Sequence, residues 1–500
     1  MLPLMSPLFQ TPARRGAWLA IVAAWMLSAC AVGPDFVRPA PPAEDRYTSA
    51  PQATATLTAE GQAQRFKSDV AVAADWWKLF KSDQLDAMVQ QAIANNPTLE
   101  ASEATLRQSQ NGLRAGYGVF FPQIDAGLAG SRERVAPLVN GLQTPGTIFN
   151  VVTLSGSIGY TFDVFGGERR MVEGLRAQTD YQRNANLAAY LALSANVVDT
   201  AIARAAYAAQ IRATEQLIAM ENEQLAATQA QVDAGTSAYA SVLSMRSQIA
   251  ANQAALAPLK QKIDQAGHLL ATLEGVAPGK ASLPDIALSK LALPTDLPLS
   301  LPSDLVRQRP DILQAEAQLH AASANVGVAT AAMYPSFSLT GTYGTAGTSL
   351  GNLSSENGRF WSIGPSVSIP LFRGGSLWYG RQAAIDAYQA SQASYRQTVL
   401  AAFAQVADSL KALEHDAEAV QAQAEAQHAA EQALHLLQAN YRAGMAAYLD
   451  VLAVDVQYHQ ATIAYLQAVA QRHQDTVALF VALGGGWWNG KIQTAEGKAP

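Results

Sequence analysis

Residues 152–167 read VTLSGSIGYTFDVFGG, and they decide the fold because the period of the sequence changes within them. Apart from Gly156, apolar residues alternate with Ser, Thr or Gly up to Phe162, as in a strand with one apolar and one small polar face. The glycine pair at 166–167 ends this alternation, and a proline-free helical run continues to about Val232. The sequence therefore predicts a strand that leads into a very long helix.

The chain contains this arrangement twice. Phe121-Pro122 recurs 213 residues later as Tyr334-Pro335, and the turn at 234–239 recurs 209 residues later at 443–448. Solenoid repeats are only about 20–50 residues long, so a step of this size indicates a duplicated structural half. Each half is expected to hold a helix, a β-hairpin, a long helix and a shorter helix. In the first half the opening helix should run from Ser82 to about residue 118, with a break or kink at Asn96-Pro97.

Six segments follow from the repeats and from the composition between them. A signal peptide (1–29) is followed by a tether with an equatorial segment (30–81) and the first structural repeat (82–275). A connector (276–302) leads to the second structural repeat (303–483) and a disordered tail (484–500). The four strands are expected at about 122–131, 151–163, 336–345 and 360–371.

The N-terminus has the form of a bacterial lipoprotein signal. Arg14 and Arg15 precede an apolar stretch at 17–26, which is too short to cross a bilayer but suits a signal peptide. Small residues then lead to Cys30, which is the one cysteine of the sequence. We expect Cys30 to carry a covalent lipid as the first residue of the mature chain, and we expect neither a metal nor another cofactor.

Charge and hydropathy restrict the partners. The net charge is −6, and removal of residues 1–29, which hold two arginines and no acid, leaves −8. This balance opposes nucleic-acid binding, which requires a basic patch. Beyond the signal segment we find no run of about 18 apolar residues, so we expect no transmembrane helix. Any further entry into a membrane must then be as a β-barrel.

Four strands in one chain cannot close such a barrel, because about eight are the minimum. Two chains would supply eight strands, which enclose almost no lumen, and three chains would supply twelve, which leave a bore. A soluble β-sandwich is the alternative to this lipid-facing interpretation. Aromatic residues predicted at the strand–helix junctions favour the barrel, because they would form a girdle at one membrane interface. They include Phe121, Phe162, Tyr334, Trp361 and Phe372.

Several motifs together resemble the TolC-like outer-membrane efflux lipoproteins of the NodT group. They are Cys30 with the segment at 32–39, the opening Trp76-Trp77 with Phe80, the element at 309–312 and the tip segment at 447–452. The resemblance covers nearly all of the mature chain. It implies a mainly α-helical fold with a transmembrane β-barrel, in which a homotrimer builds a 12-stranded barrel and a long α-helical periplasmic tunnel.

The resemblance also implies partners and a role. The channel would be the passive exit duct of a tripartite efflux system for drugs or other compounds. Substrates would come from an inner-membrane pump, often of the resistance-nodulation-division type, through a periplasmic adaptor protein. The adaptor would contact the tip turns, for which we select Gly235, Thr236, Gly444 and Met445. No enzymatic activity is expected.

Trimer symmetry would turn each acidic side chain at the tip into a ring of three charges near a constriction. The periplasmic gate candidates are Leu449, Asp450, Asp455 and Asp233. A solvated charge or helix cap remains an equally good reading of each Asp. The family often reads Leu-Asp-Ala-Gln-Arg after this turn, whereas residues 452–456 here read Leu-Ala-Val-Asp-Val. We therefore expect a gate that is held differently from the family's salt-bridge latch.

Two other classes remain open from the sequence. A structural coiled-coil lipoprotein could span the periplasm, but it would need no strands. A lipoprotein enzyme would need converging polar side chains, and the sequence has neither a phosphate-binding loop nor an HExxH zinc motif. The histidines are scattered over predicted helices.

Overall fold

The computed structural model describes residues 31–43, 46–49, 51–68, 70–135 and 146–489. The signal segment and Cys30 lie outside the described residues. The chain divides into two compact units. Unit 1 comprises Met1–Arg38, Gln108–Asp180 and Glu316–Ser394, and unit 2 comprises Pro39–Arg107, Tyr181–Ala315 and Tyr395–Pro500.

The elements follow the predicted duplication. The strands of the described chain are β1 (Arg65–Lys67), β2 (Gln123–Val135), β3 (Thr147–Phe162), β4 (Asp296–Pro298), β5 (Ser336–Gly347) and β6 (Arg359–Ser368). The α-helices are α1 (Asp83–Asn95), α2 (Pro97–Gly116), α3 (Gly167–Asp233), α4 (Tyr239–Leu273), α5 (Pro302–Gln308), α6 (Pro310–Ala331), α7 (Ser376–Arg442) and α8 (Tyr448–Ala482). The long helices α3 and α7 have 67 residues each, and the shorter helices α4 and α8 have 35 each.

Unit 1 is built on an antiparallel sheet in the order β2-β3-β5-β6. Residues directly opposite one another share a face, and the register places apolar residues together. Leu128 pairs with Leu154, and Phe162 pairs with Phe337, which in turn pairs with Val367. The other face carries mainly Ser, Thr and Gly, together with Gln123 and Asp125 of β2, and the hydroxyls of Ser338 and Ser366 lie 3.0 Å apart there. The alternation in the sequence therefore becomes one continuous apolar face.

Each outer strand of this sheet, β2 and β6, has a neighbour on one side only in a single chain. All residues of β2 are exposed, and in β6 nine of ten are. The apolar face is exposed as well, with Ile124 at 76% and Ile363 at 68% of their full accessibility. An exposed edge of this length is a template for pairing with another strand. The sheet is thus complete only with a partner on each edge.

The strand limits differ from the predicted ones for two reasons. The first hairpin is longer, because β2 and β3 stay paired up to Val135 and Thr147, where polar residues replace the alternation. The second hairpin ends earlier, at Ser368 instead of 371, and Pro370 just beyond has no backbone N–H to donate to a ladder.

The helical repeats begin as the sequence indicates. The Ser82 hydroxyl accepts a hydrogen bond from the Leu85 N–H and caps α1. Asn96 separates α1 from α2, and its side-chain oxygen accepts from the N–H of Leu99 and so caps α2. Pro97 has no N–H to continue the first helix.

The core of unit 2 gathers residues from distant parts of the sequence. Trp76, Trp77 and Phe80 are fully buried, and the Trp76 ring stacks on Phe480 at 5.5 Å between centroids. Arg309 donates to the Ala482 carbonyl at 2.7 Å and to Asp311 at 2.6 Å. Two of the sequence elements that carried the family resemblance, the Trp76-Trp77 segment and the element at 309–312, therefore fasten α8 to the start of the repeats.

The segment at 484–489 corrects the prediction of a disordered tail from residue 484. The glycines at 484–486 adopt positive φ and turn the chain after α8. Trp487 then donates its indole N–H to the Gln308 carbonyl at 2.8 Å. A run of glycines indicated disorder, but here it makes a compact helix end.

One helix of the described residues is long and apolar enough to cross a membrane by length and composition. It is α3, whose most apolar 18-residue window is 44% buried in the structure. Packed helices of proteins outside membranes pass the same test, so α3 is weak evidence for a membrane span.

Substitutions on opposite faces of β3 test which face meets lipid. Ile158→Lys puts a charge on the apolar face and should cost about 2–4 kcal/mol in a bilayer. We expect less folded protein in membranes, measured by heat-modifiable migration of detergent extracts.

The matched control is Ser157→Lys, on the small polar face of the same strand. It should fold like the unmodified protein. Equal losses for both substitutions would contradict the assignment of the faces.

Candidate functional site

Two turns in unit 2 join the long helices to the shorter ones. Gly235 and Gly444 follow α3 and α7 with φ of +76° and +74°, which a residue without a side chain adopts without strain. The N–H of Thr236 and that of Met445 each reach back to a carbonyl five residues earlier, at 2.8 and 2.9 Å. These are Schellman turns, and they explain why both halves carry Ala-Gly at this point. All four residues predicted to contact an adaptor lie in these turns.

Three of the gate candidates are exposed near the turns. Asp450 lies in the first turn of α8, and its carboxylate accepts from the Ala447 N–H at 3.1 Å. Asp233 ends α3 and accepts from the Gln229 side chain at 3.0 Å. Leu449 is 67% exposed. Helix capping is thus one role of Asp450, while a role of these residues in a gate stays a prediction.

Asp455 differs from the other candidates because it is buried, with 7% of its surface exposed. Its carboxyl group lies within hydrogen-bonding reach of Glu221 on α3. Glu221 Oε1 accepts from the Asn252 amide on α4 at 2.7 Å, and Gln248 donates to Asn252 at 3.1 Å. A buried polar cluster therefore connects α3, α4 and α8, and we call Glu221, Asn252 and Asp455 the carboxyl cluster.

The environment favours the protonated form of Asp455. Burial, together with the hydrogen bond and the negative charge of Glu221, raises the pKa of Asp455 to about 8. Burial, then the charges of Asp455 and Glu221, also raises the pKa of Tyr448. Burial and the neighbouring Glu221 thus both oppose a second negative charge in the carboxyl cluster.

Tyrosines extend the polar contacts from the carboxyl cluster to α7. The rings of Tyr441 and Tyr448 meet edge to face at 5.8 Å. The Tyr441 hydroxyl lies 3.3 Å from Thr228 Oγ1 and donates to Gln231 Oε1 at 3.4 Å, both on α3. All four helices that meet at the turns are thus linked.

Sequence reasoning did not select Glu221 or Asn252. A weak signal exists, because buried positions of α3 recur at helical spacing at residues 210, 214, 217, 221 and 228. Most of these positions hold polar residues, so the sequence shows no apolar periodicity that would mark them as a buried face.

The start of the described chain is fastened to unit 1. Val32 donates its N–H to the Phe165 carbonyl at 2.9 Å. The buried guanidinium of Arg170 bonds Asp35 at 2.6 Å and Glu173 at 2.8 Å. His320 lies 2.9 Å from Glu173 and stacks on Phe36 at 4.2 Å. We call this set, Asp35, Phe36, Arg170, Glu173 and His320, the N-terminal clamp.

Close backbone packing supports the clamp. Gly33 has a φ of +95°, and a Cβ added there would lie 2.5 Å from the Gly327 Cα. Residues 31–38, the start of the predicted tether, therefore follow a defined path.

The aromatic residues lie at two levels of the sheet, which corrects part of the prediction. Phe121, Phe162, Tyr334 and Phe372 flank the helix-proximal end, as expected. Trp361 pairs with Tyr343, six residues along the strand from the Phe337–Val367 pair. At about 3.4 Å per residue this separates the levels by about 20 Å. Trp361 lies at the second level because β6 begins at Arg359, directly after the hairpin loop.

Residues 347–351 read GTSLG, which has the Gly-x-Ser-x-Gly form of hydrolase nucleophile motifs. Such a nucleophile occupies a sharp turn between a strand and a helix. Ser349 instead lies exposed in the hairpin loop between β5 and β6, and no histidine of the described residues pairs with it. The motif therefore lacks its catalytic context.

A one-sided apolar sheet with two aromatic levels, joined in sequence to duplicated pairs of long helices, defines a class of outer-membrane channel proteins. Comparison with known proteins agrees. The family model described as Outer membrane efflux protein matches residues 88–276 and 301–485, one range for each structural repeat. The chain belongs to this family.

Individual relatives are similar over nearly their whole length. The toluene efflux pump outer membrane protein TtgC of Pseudomonas putida is 27% identical over 474 residues, which cover 93% of this chain and 95% of TtgC. The cation efflux system protein CusC of Escherichia coli is 26% identical over 461 residues, covering 92% and 96%. The solved outer-membrane channel OprN has a TM-score of 0.83 at 26% identity, and the match covers 92% of this chain and all of OprN.

This protein is therefore an outer-membrane channel of an efflux system. The relatives are channel proteins of efflux pumps, which implies an adaptor and an inner-membrane pump as partners. A coiled-coil spacer needs no strands, so that alternative does not account for the sheet with its exposed apolar face.

The N-terminal clamp can be tested by removing its central cation. Arg170→Ala leaves Glu173 half-paired and releases Asp35, at a cost of about 1–3 kcal/mol. We expect faster proteolysis between residues 31 and 38, measured by mass spectrometry of timed digests.

Arg176→Ala is the control, because this exposed arginine of the same helix bonds only the Tyr117 hydroxyl among the contacts described, at 2.8 Å. Equal cleavage rates in both variants would contradict a specific clamp.

Proposed function

We propose that three copies of this chain close a 12-stranded barrel that serves as a passive exit duct. The observation that carries the proposal is the sheet of unit 1, with its exposed apolar face and two unpaired edge strands. A backbone group without a partner costs several kcal/mol in hydrocarbon, so both edges need strands. Pairing β6 of one copy with β2 of the next satisfies both edges by one repeated contact.

Three copies suit a conduit better than two. Eight strands give a barrel whose interior is filled by side chains, whereas larger barrels leave an aqueous channel. The Ser, Thr and Gly face would then line the bore. Its small side chains leave room for cargo, and the apolar face would meet lipid.

The duct has no energy source of its own in this proposal. The sequence offers no phosphate-binding loop, and the GTSLG stretch lacks a catalytic context. Transport would be driven by an inner-membrane pump of the resistance-nodulation-division type through a periplasmic adaptor, with no enzymatic step in this chain. Relatives of nearly equal identity are named for toluene and for cations, which favours substrate selection by the pump.

The N-terminal clamp supports a lipid anchor on Cys30. Ala31 packs against Gly166, where an added Cβ would lie 2.7 Å from Ala31. Gly166 lies between the end of β3 and the start of α3. A lipid on Cys30 would thus start from the helix-proximal end of the sheet, where the first aromatic level marks a membrane interface.

The exposed turns with Gly235, Thr236, Gly444 and Met445 would receive the adaptor. Met445 is 73% exposed, and methionine adapts to varied partner surfaces. Asp450 and Leu449 would line the constriction next to these turns as threefold rings.

Gel migration and efflux together test the duct. In a strain that lacks its own outer-membrane channel, this chain with its native adaptor and pump should restore resistance at least fourfold. An unboiled extract should show a heat-labile band of three copies. A monomer that restores no resistance would contradict the proposal.

Asp450→Asn tests the proposed charge ring. Asparagine keeps a side-chain oxygen for the Ala447 N–H, so the helix cap survives while three charges are lost. Cation-over-anion permeability in planar bilayers should fall several-fold. Asp264→Asn, an exposed site on α4, is the matched control. Unchanged selectivity in Asp450→Asn would remove Asp450 from the constriction.

A further inference from the structure

The carboxyl cluster contains a hydrogen-bond acceptor with no ordinary donor. Glu221 Oε1 is satisfied by Asn252, but Glu221 Oε2 is buried and has no donor among the described residues. The side chain within reach is Asp455, another carboxyl group. A proton on Asp455 would supply the missing donor, and the two groups would then make one hydrogen bond between α8 and α3.

No positive charge substitutes for this proton. Neither Glu221 nor Asp455 forms an ion pair within the described part of the chain. Tyr448 on α8 lies near both carboxyl groups, and Tyr441 on α7 packs edge to face on Tyr448. His459 lies one turn further along α8, and burial lowers its pKa, which disfavours a positive charge there. From α4 the Asn252 amide donates to Glu221, and Gln248 donates to Asn252.

Of the two shorter helices, only the one in the second half of the duplication contributes an acid to the cluster. The position 209 residues before Asp455 is Arg246, which is exposed. The residues after Leu452 also lack the acid and arginine that the family resemblance would supply for a salt bridge. A buried acid thus stands on α8, close to the turn where the gate is expected.

We propose that the proton shared by Asp455 and Glu221 is the latch that holds α8 against α3, and that its loss releases the tip. This inference rests on the proposed function, because a latch has meaning only in a duct that closes there. Ionising both carboxyl groups would place two buried negative charges side by side, and separation of the helices would relieve the repulsion.

The sign of the pH response distinguishes this latch from a salt bridge. The folded chain binds more protons than the unfolded chain between the ordinary pKa of an aspartate, 3.8, and about 8. The stabilisation by the latch is therefore greatest in acid and is lost as the pH rises through about 8. An Asp–Arg bridge would behave in the opposite way and weaken in acid.

Conductance of the full-length protein in planar bilayers, recorded at several pH values between 5.5 and 9.5, tests the latch. The unmodified channel should conduct at least tenfold more at the alkaline end. Asp455→Asn keeps an N–H donor toward Glu221 and cannot ionise, so its conductance should stay low throughout. Glu221→Gln leaves only one carboxyl group, so it should likewise lose the steep rise.

Asp264→Asn should titrate like the unmodified channel, because this exposed carboxylate lies outside the cluster. Heat-labile oligomer bands must be equal in all variants, which separates loss of the latch from loss of folding. Three results would overturn the latch. They are a conductance of the unmodified channel that does not change with pH, an unmodified channel that opens in acid, and an unchanged alkaline rise in conductance in both Asp455→Asn and Glu221→Gln. If efflux is restored while the latch fails, the proposed duct stands; if neither efflux nor conductance occurs at any pH, both fail.

Discussion

The pairing of backbone groups in hydrocarbon is the constraint on which the rest of this structure depends. Lipid offers no hydrogen bonds, so a strand in a membrane needs a neighbour on both sides. One chain provides only the row β2-β3-β5-β6, and each outer strand has a neighbour on one side only. The duplication supplies the two hairpins, and the apolar face, the aromatic levels and the proposed threefold assembly all follow from completing this sheet.

The helical part is under a different constraint, because in water its helices bury apolar surface only by packing against one another. Its long helices are rich in alanine and bury only narrow stripes of side chains. A few polar contacts between helices therefore contribute strongly to how the helices are held together. The carboxyl cluster is the sharpest example. Its two acids would repel if both were charged, and one proton converts that repulsion into a hydrogen bond. Such a contact is stable and yet easily reversed, as a gate requires.

The repeat, the strand alternation and both tip turns could be predicted from the sequence, because glycine, proline and period-two patterns act locally. Trp361 was misplaced although the start of β6 was predicted to within one residue, because a residue at the start of β6 lies at the hairpin-loop end of the strand and not beside the helices. Glu221 was missed because its neighbour Asp455 is more than two hundred residues away in the sequence, and Asn252 was missed because it bonds Glu221 on a different helix. The order of residues 31–38 and 484–489 was likewise set by distant contacts, through Arg170 and Gln308.

The central claim is that β6 of one chain pairs with β2 of another, and cross-linking between chains measures it most directly. Single cysteines placed along β2 in one tagged copy and along β6 in a differently tagged copy would be co-expressed and oxidised in membranes. The account predicts disulfide-linked pairs carrying both tags at one register, and a closed ring of three when both cysteines occupy the same chain. Links only within single chains, or none at any register, would contradict it.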